Sequence, residues 1–489
     1  MIDELRESLL AANYTVDAVL ERLGEAAQSG LHRNSTIPAR AALGDDSSPL
    51  ATLIRLFPLA SAVSLEQARN ALPVDALRKA GLLQVEDHQV RASVDLRPYA
   101  FDTGSGQWDG WVVSDHTPGL DHDRRPIKPD YVLGVSPAST TLAQLTIPDR
   151  VGSALDLGTG CGVQSLHLSR QASRVVATDV NPRCLQLAEM TAALNQVEVD
   201  LRAGSLYEPV AGERFDLIVT NPPYVMSPPA DSGRLAYREA GFTGDELVRQ
   251  VVTGCIEHLN PQGTCQVLAN WAITDEPVEE RLAGWAAAGA DLWVIERELL
   301  DPYEYIELWL TDAGLAGDPS WTDRYVEWLQ YFDRLGIRGV GMGWMTVVNA
   351  GREQPDFTFE VWHHEVAQPL GPTISRRPRA LDEAAVDDAR LLATHFELQP
   401  DVVQETLGTP GAPDPQYLVL RQGAGLKRAM DVGTAFSGVL GACDGELPLG
   451  VIIGAVASLL DQDAETLRDE LLPKVRNAIR QDYLRPVRL

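Results

Sequence analysis

An apolar run that ends at Leu157 leads directly into a short turn that holds three glycines, Gly158, Gly160 and Gly162. Glycine adopts positive backbone dihedral angles easily and lets a ligand approach the main chain closely. Residues 164–170 are expected to begin a helix behind the turn, with the free N–H groups of its first residues facing that ligand. A strand, a glycine turn and a helix in this order predict an α/β fold with a ligand site at the turn.

From about residue 128, strand-like segments alternate with helix-like segments, which predicts a parallel sheet with crossover helices. The candidate strands are 154–157, 174–178, 197–203, 216–220, 263–270, 292–297 and 341–348. The last two are far apart in the chain, and residues 321–335 between them predict an amphipathic helix. We therefore interpret residues 301–338 as an insertion into the sheet domain.

The chain of 489 residues is too long for one ordinary core, which predicts roughly two to four domains. Its formal net charge of -28 argues against a protein that coats a nucleic-acid backbone, because that affinity comes largely from Lys and Arg. No apolar run reaches the length of a membrane span, and the first residues lack the features of a signal peptide. The five cysteines are scattered, without the CxxC spacing of a zinc site. We therefore expect a cytoplasmic protein with no membrane segment and no metal.

The N-terminal region has a different pattern from the middle of the chain. Apolar residues recur at helical spacing over 1–34. Residues 65–72 and 74–83 then predict two short helices, and residues 84–100 predict a hairpin. This order is typical of a winged helix. Because its charges nearly balance, a packing or protein-docking role is favoured over DNA binding.

The alternation of strands and helices stops beyond residue 349. The basic stretch 376–379 is interpreted as a linker or exposed loop. Helices are predicted over 447–460 and 463–479, and Pro473 is expected to kink or break the second one. This end is therefore predicted to be mostly helical, with a second winged-helix module as the alternative.

The fourth candidate strand is followed by Asn221, Pro222, Pro223 and Tyr224. Together with the glycine turn, this tetrapeptide resembles the class I methyltransferases that use S-adenosylmethionine and methylate a planar nitrogen. Within that class the chain is similar to the HemK-type release-factor glutamine methyltransferases and to the small-domain ribosomal RNA methyltransferases. The resemblance spans about residues 135–270. It implies a Rossmann-like, seven-stranded methyltransferase domain, which we place at 126–350, between an N-terminal domain at 1–125 and a C-terminal domain at 351–489.

The resemblance implies S-adenosylmethionine as the cofactor. Asp179 ends the second strand, where a carboxylate can accept two hydrogen bonds from vicinal ribose hydroxyls. Ser205 follows the third strand, where related enzymes hold the adenine edge and more often carry Asp. Asp156 is expected to orient the turn or to contact the methionine amino group. The predicted cofactor contacts are Thr140, Asp156, Gly158, Thr159, Gly160, Gly162, Asp179, Val180, Ser205, Leu206 and Asn221.

Asn221, Pro222 and Tyr224 are the predicted catalytic residues. The nitrogen that this family methylates is a poor nucleophile, because its lone pair is delocalised. The side-chain oxygen of Asn221 and the carbonyl of Pro222 could accept its N–H groups and draw it towards tetrahedral geometry. The two prolines would hold these acceptors in place, and Tyr224 could stack on the target. The pair His363 and His364 is not expected to bind a metal, because adjacent strand residues point to opposite faces.

The sequence therefore predicts a methyltransferase that acts on the glutamine amide of a protein such as a translation factor. One alternative acceptor is the exocyclic amine of an rRNA, tRNA or DNA base. An alternative of another class is a non-catalytic scaffold that only binds S-adenosylmethionine. The expected partner is a macromolecular substrate, with protein favoured over RNA.

Overall fold

The computed structural model describes residues 1–104, 106–122, 127–229, 241–410 and 416–487. The chain forms two compact units, Met1–Ala143 with Arg150–Trp362 and Gln144–Asp149 with His363–Leu489. Within the described ranges, every helix is too short or too polar to span a lipid bilayer. The predicted domain boundary between residues 125 and 126 lies outside the described residues, and the predicted domain limits stay predictions.

The first unit begins with helices and short strands. They are α1 Ile2–Ala11, α2 Val16–His32, α3 Ile37–Leu43, α4 Pro49–Leu56, β1 Val63–Ser64, α5 Leu65–Ala71, α6 Val74–Lys79, β2 Leu83–Glu86, β3 Gln89–Ala92, β4 Asp95–Asp102 and β5 Gln107–Ser114. The predicted helices over 1–34 are confirmed as α1 and α2. Elements α4 to β3, with the strand order β1-β3-β2, have the arrangement of a winged helix.

The predicted hairpin over 84–100 is wrong in its extent. Strands β2 and β3 form a hairpin that ends at Ala92. Residues from Asp95 onward instead pair with β5, in a separate two-stranded ribbon. Alternation alone could not separate the two, because one alternating run supplies strands to both pairs.

The main sheet and its helices follow. They are α7 Pro137–Leu145, β6 Val151–Leu157, α8 Val163–Leu168, β7 Ala172–Asp179, α9 Pro182–Leu194, β8 Asp200–Ala203, β9 Phe215–Thr220, α10 Glu246–Gly254, β10 Leu259–Ile273, α11 Val278–Ala283, β11 Asp291–Leu300, α12 Pro302–Asp312, α13 Trp321–Leu335, β12 Gly339–Val348 and β13 Phe357–Val361. The strand order is β13-β11-β12-β10-β9-β6-β7-β8. All seven predicted strands are confirmed, in an α/β sheet whose chain order reverses at β6.

The sheet has eight strands rather than the seven predicted. β13 pairs in parallel with β11 at the edge, with Leu292 beside Phe357. Its five residues alternate between apolar and polar side chains, so the sequence did carry a signal for this strand. The insertion between β11 and β12 likewise holds two helices rather than one. Asp301 caps the unexpected α12 through a reciprocal capping box with Glu304.

The second unit combines helices with two small sheets. Its elements are α14 Gly371–Ala385, α15 Asp388–Ala393, β14 His395–Leu398, β15 Val402–Leu407, β16 Tyr417–Gln422, β17 Ala429–Val432, α16 Thr434–Gly441, β18 Asp444–Pro448, α17 Leu449–Leu459, α18 Ala464–Arg480 and β19 Leu484–Pro486. The strands form the sheets β18-β14-β19 and β15-β16-β17. More of its residues lie in helices than in strands, as predicted.

Two predictions for this unit are wrong. The basic stretch 376–379 lies inside α14 rather than in a linker, and Arg376 pairs with Glu383 and Asp482. These ion pairs let a basic segment pack in the unit. Helix α18 also continues through Pro473 without a break. Its buried face, from Leu467 to Ile479, packs in the core of the unit, and this burial offsets the cost of a proline inside a helix.

Candidate functional site

The carboxyl ends of four parallel strands, β6 to β9, lie at one edge of the main sheet. Leu157 of β6 pairs with Thr178 of β7 and with Thr220 of β9. Asp179 at the end of β7 pairs with Ala203 of β8. The segments that follow these strands therefore meet where the chain order of the sheet reverses. Open parallel sheets bind their ligands at such a point.

The glycine turn leaves open space above the sheet edge. Gly158, Gly160 and Gly162 have φ angles of 79°, 56° and 84°, which favour glycine. A Cβ atom on Gly158 or Gly160 would meet no described atom within 4 Å. A Cβ atom on Gly162 would lie 3.2 Å from Ala188 of α9. The first two glycines therefore face room for a ligand, whereas the third permits close helix packing.

Asp156 supports the turn from below. It is buried, and its Oδ2 accepts hydrogen bonds from Thr159 Oγ1 and Ser165 Oγ, both at 2.6 Å. Burial raises the pKa of Asp156 to about 6, against the lowering effect of these hydrogen bonds. The side chains of Asp156 and Thr159 are thus engaged with each other, which orients the turn as the first of the two predicted roles requires.

Asp179 connects the turn to the next helix. Its Oδ2 accepts the N–H of Gly160 at 3.0 Å, and its Oδ1 accepts the N–H of Asn181 at 2.9 Å. Burial raises the pKa of this carboxyl group, and the backbone hydrogen bonds lower it. Each carboxylate oxygen has further acceptor capacity, so a ligand diol can still bind to Asp179.

Beside Asp179 lies a surface that suits a flat ligand. Val180 is 61% exposed although it is apolar. The N–H of Gly204 donates to the carbonyl of Asp179 at 3.1 Å, which keeps the end of β8 next to this valine. Ser205 and Leu206 then line a cavity of about 480 Å³. An exposed valine and a serine hydroxyl next to a cavity can contact the face and the edge of a planar ring.

Thr140 lies on α7, whose side chains reach the site indirectly. The Thr140 hydroxyl donates to the carbonyl of Pro137 at 3.0 Å, within its own helix. The carbonyl of Ser139 accepts a hydrogen bond from Gln164 Nε2 of α8 at 2.7 Å. This bond joins α7 to the helix that begins at the glycine turn. The structure therefore brings the helix of Thr140 to the site through Ser139, whereas the Thr140 hydroxyl bonds within α7.

The tetrapeptide begins where β9 ends. The Thr220 hydroxyl donates to the carbonyl of Leu157 at 2.7 Å, which holds the start of the loop against β6. The Oδ1 atom of Asn221 is buried and accepts no hydrogen bond from any residue that the structure describes. Pro222 is buried and Pro223 half-buried. The loop thus offers one unpaired amide oxygen at the sheet edge that carries the glycine turn.

Tyr224 lies in an apolar and acidic environment. Its ring meets the ring of Trp309 edge-on, with centroids 6.3 Å apart. Burial is the main cause that raises the pKa of Tyr224, and the charges of Asp312 and Glu298 raise it further. The phenol therefore stays neutral at physiological pH.

Sequence reasoning missed the part of the insertion that contacts this loop. The hydroxyl of Tyr305 accepts the N–H of Met226 at 3.0 Å, and the hydroxyl of Tyr331 accepts the N–H of Gly244 at 2.8 Å. The available signal was the density of aromatic residues between 303 and 332. That density indicated a buried helical face, but it did not indicate which loop the face contacts.

A family comparison agrees with this geometry. Residues 134–284 match the methyltransferase small domain family, and residues 11–93 match a domain of unknown function, DUF7059. The segment 134–284 is a methyltransferase domain. It contains the glycine turn, Asp179, the end of β8 and the tetrapeptide.

Relatives of this methyltransferase domain include proteins named as glutamine methyltransferases and proteins named as ribosomal RNA methyltransferases. The release factor glutamine methyltransferase of Koribacter versatilis is 32% identical over 142 residues, which is 27% of this chain and 50% of that protein. The one from Geobacter sulfurreducens is 35% identical over 24% of this chain and 44% of that protein. The ribosomal RNA small subunit methyltransferase C of Erwinia tasmaniensis is 30% identical over 28% and 36%. The chain thus spans half or less of the length of these relatives.

Among solved structures, a Thermus thermophilus 16S rRNA N2 G1207 methyltransferase, in complex with AdoMet and guanosine, is 18% identical. The alignment covers 43% of this chain and 55% of the Thermus thermophilus chain, with a TM-score of 0.25. An overlap of this size does not discriminate between activities, so the family match and the strand order carry the assignment.

The residues of the methyltransferase domain fit S-adenosylmethionine. The space above Gly158 and Gly160 is open, and Asp179 offers carboxylate oxygens to vicinal hydroxyls. The cofactor carries no phosphate, so the site does not require a basic side chain at the turn. Among the described residues there is no group of three or more His, Cys, Asp or Glu side chains that could hold a metal ion.

Proposed function

We propose that this chain is an S-adenosylmethionine-dependent methyltransferase that transfers a methyl group to a planar nitrogen of a protein. The cofactor would lie over Gly158 and Gly160, with its ribose hydroxyls on Asp179 and its adenine ring beside Val180, Ser205 and Leu206. The target nitrogen would lie against Asn221, Pro222 and Tyr224.

The unpaired oxygen of Asn221 is the observation that carries this proposal. An unsatisfied buried acceptor costs about 1–3 kcal/mol, so a bound donor that pairs with it recovers that free energy. Among the described residues, no donor reaches this atom. An N–H group of the methyl acceptor is a suitable partner, because the amide oxygen lies at the same sheet edge as the glycine turn.

The tetrapeptide can activate a weak nucleophile through hydrogen bonds. Asn221 Oδ1 would accept one N–H of the target and the Pro222 carbonyl the other, which shifts the nitrogen towards tetrahedral geometry and frees its lone pair. The two prolines restrict the loop, so the acceptors are in place before the target binds. When bound, S-adenosylmethionine supplies the methyl group on a sulfonium centre. The surplus proton on the methylated nitrogen passes to water, which requires no basic side chain.

A glutamine amide of a protein fits the charge of this chain better than a nucleobase. The whole chain carries a net charge of -28, so carboxylates greatly outnumber basic side chains. Carboxylates repel phosphate groups and attract basic side chains of a protein partner. The two release factor glutamine methyltransferases among the relatives support the same acceptor, whereas the ribosomal RNA enzyme keeps a nucleobase as the rival.

The test is a labelling experiment with tritiated S-adenosylmethionine and lysate from a strain that lacks this gene. We expect the label to enter macromolecules and to be released by protease but not by nuclease. Asn221→Ala should keep the affinity for S-adenosylhomocysteine and lose roughly a hundredfold or more in transfer rate, as enzymes do when one preorganised hydrogen bond is removed. Asn477→Ala, an exposed asparagine of the second unit, is the matched control and should transfer at the wild-type rate.

Each other outcome contradicts a distinct part of the proposal. Release of the label by nuclease alone would assign the acceptor to a nucleic acid. Label in a small-molecule fraction would exclude both protein and nucleic acid as the methyl acceptor. Binding of S-adenosylhomocysteine without any transfer would favour the non-catalytic scaffold. An Asn221→Ala protein that transfers at the wild-type rate would refute the role of the amide oxygen.

A further inference from the structure

The helices of the insertion reach the segment that follows the tetrapeptide. Tyr305 of α12 is fully buried, and its hydroxyl accepts two hydrogen bonds. One comes from the N–H of Met226 at 3.0 Å and the other from Asn270 Nδ2 of β10 at 2.9 Å. Met226 lies only two residues beyond Tyr224. We call residues 221–226 the acceptor loop. The phenol oxygen of Tyr305 therefore connects the acceptor loop to the main sheet.

The second helix of the insertion makes the corresponding contact further along the chain. Tyr331 of α13 is buried, and its hydroxyl accepts the N–H of Gly244 at 2.8 Å. The next residue, Asp245, accepts hydrogen bonds from Ala272 N at 2.8 Å and from Arg281 Nη2 at 2.7 Å. Met226 and Gly244 are thus both held by a tyrosine of the insertion.

Apolar packing supports these two hydrogen bonds. Val225 and Met226 belong to one buried cluster with residues of both insertion helices, among them Ile306, Leu310 and Phe332. Interiors packed in this way resist small displacements. The loop start is therefore fixed both by directed hydrogen bonds and by side-chain packing.

We propose that Tyr305 and Tyr331 are positioning residues for methyl transfer, through which the insertion sets the location of Asn221 and Tyr224. This proposal rests on the proposed function. Both tyrosines are buried, and their hydroxyls accept backbone N–H groups of the protein. Tyr305 fixes Met226, two residues after Tyr224, and Tyr331 fixes Gly244, which lines a small cavity together with Pro223 and Tyr224. A displacement of about 1 Å in such a loop can lower a rate roughly a hundredfold.

The experiment compares Tyr305→Phe and Tyr331→Phe with Tyr303→Phe. Each change removes only one hydroxyl, and Tyr303 is an exposed residue of the same helix as Tyr305. Calorimetry with S-adenosylhomocysteine gives the affinity and the fraction of folded sites. Hydrogen exchange followed by mass spectrometry reports on peptides that contain Met226 or Gly244. The rate of label transfer is measured at increasing concentrations of the deletion-strain lysate. This gives the plateau rate separately from the lysate concentration at half-saturation.

We expect Tyr305→Phe to accelerate exchange at Met226 and Tyr331→Phe to accelerate it at Gly244. Both should lower the plateau rate per bound S-adenosylhomocysteine by roughly tenfold to a hundredfold, because the acceptor loop is no longer held in place. The affinity for S-adenosylhomocysteine should stay within twofold of the wild type. Tyr303→Phe should match the wild type in every measurement.

Two results would overturn the proposal. One is a plateau rate for Tyr305→Phe and Tyr331→Phe equal to that of the wild type. The other is a loss of rate that only parallels a loss of folded sites, which would indicate a purely structural role. If the wild type itself binds S-adenosylhomocysteine and transfers no label, the proposed function fails, which is a result distinct from either of these.

Discussion

Asp179 contacts backbone N–H groups of the protein and is predicted to contact the cofactor as well. Its oxygens accept the N–H groups of Gly160 and Asn181, so the carboxylate holds the glycine turn and the start of α9 together. The sequence could predict a carboxylate at the strand end, because strand and turn patterns are local. It could not predict the bond to Gly160, which depends on how the turn folds back over β7.

We expect Asp179→Ala to lower the affinity for S-adenosylhomocysteine by roughly a hundredfold or more. A hydrogen bond to a charged group contributes about 1.5–3 kcal/mol, and the ribose would make two. Asp179→Asn should have an intermediate effect, since it keeps one acceptor oxygen. Calorimetric titration measures all three proteins, with the exposed Asp431→Ala as control. Unchanged affinity in Asp179→Ala would refute the ribose assignment.

At the scale of elements, buried regular segments were predictable and irregular ones were not. The central strands of the sheet were found because they are continuous apolar runs between turns. The edge strand β13 was missed although its residues alternate between apolar and polar side chains, and the helix α12 was missed because it has no strong apolar period. The prediction of a linker or exposed loop at 376–379 is wrong because the ion pairs of this basic, proline-containing stretch join residues that are distant in sequence. Contacts of this kind leave no local signal.

Pro473 allows a test at the scale of one helix, because α18 continues through this proline without a break. A proline inside a helix removes one hydrogen bond and costs about 3 kcal/mol relative to alanine. Pro473 is exposed, so its replacement loses little packing. We therefore expect Pro473→Ala to stabilise the second unit by about 1–3 kcal/mol, measured as a higher urea midpoint for exchange of α18 amides. A lower midpoint would contradict the continuous helix, and Pro448→Ala, at the cap of α17, is the comparison.

At the scale of the molecule, the N-terminal region and the methyltransferase domain share one core. Residues of α1 to β5 form a single buried cluster with Val163 and Leu166 of α8 and with Leu187 and Leu194 of α9. The predicted domain limits here stay a prediction, which rests on the change to alternating strands and helices near residue 128. Such a change does not report that two adjacent segments bury their apolar faces against each other. The match to DUF7059 over residues 11–93 therefore describes a segment that packs with its neighbour in one unit.

Asn195, which follows α9, provides the test of this shared core. Its Oδ1 accepts the N–H of Trp111 at 3.0 Å, and its Nδ2 donates to the carbonyls of Trp111 and Thr191, both at 2.7 Å. Three hydrogen bonds are lost in Asn195→Ala, which should destabilise the unit by about 2–3 kcal/mol. Because one core joins the two segments, amides of β5 and of α9 should lose exchange protection at the same urea concentration. Both midpoints should fall together in the variant, and neither should fall in Asn477→Ala. Loss of protection in β5 while α9 stays protected would show that the N-terminal region unfolds independently.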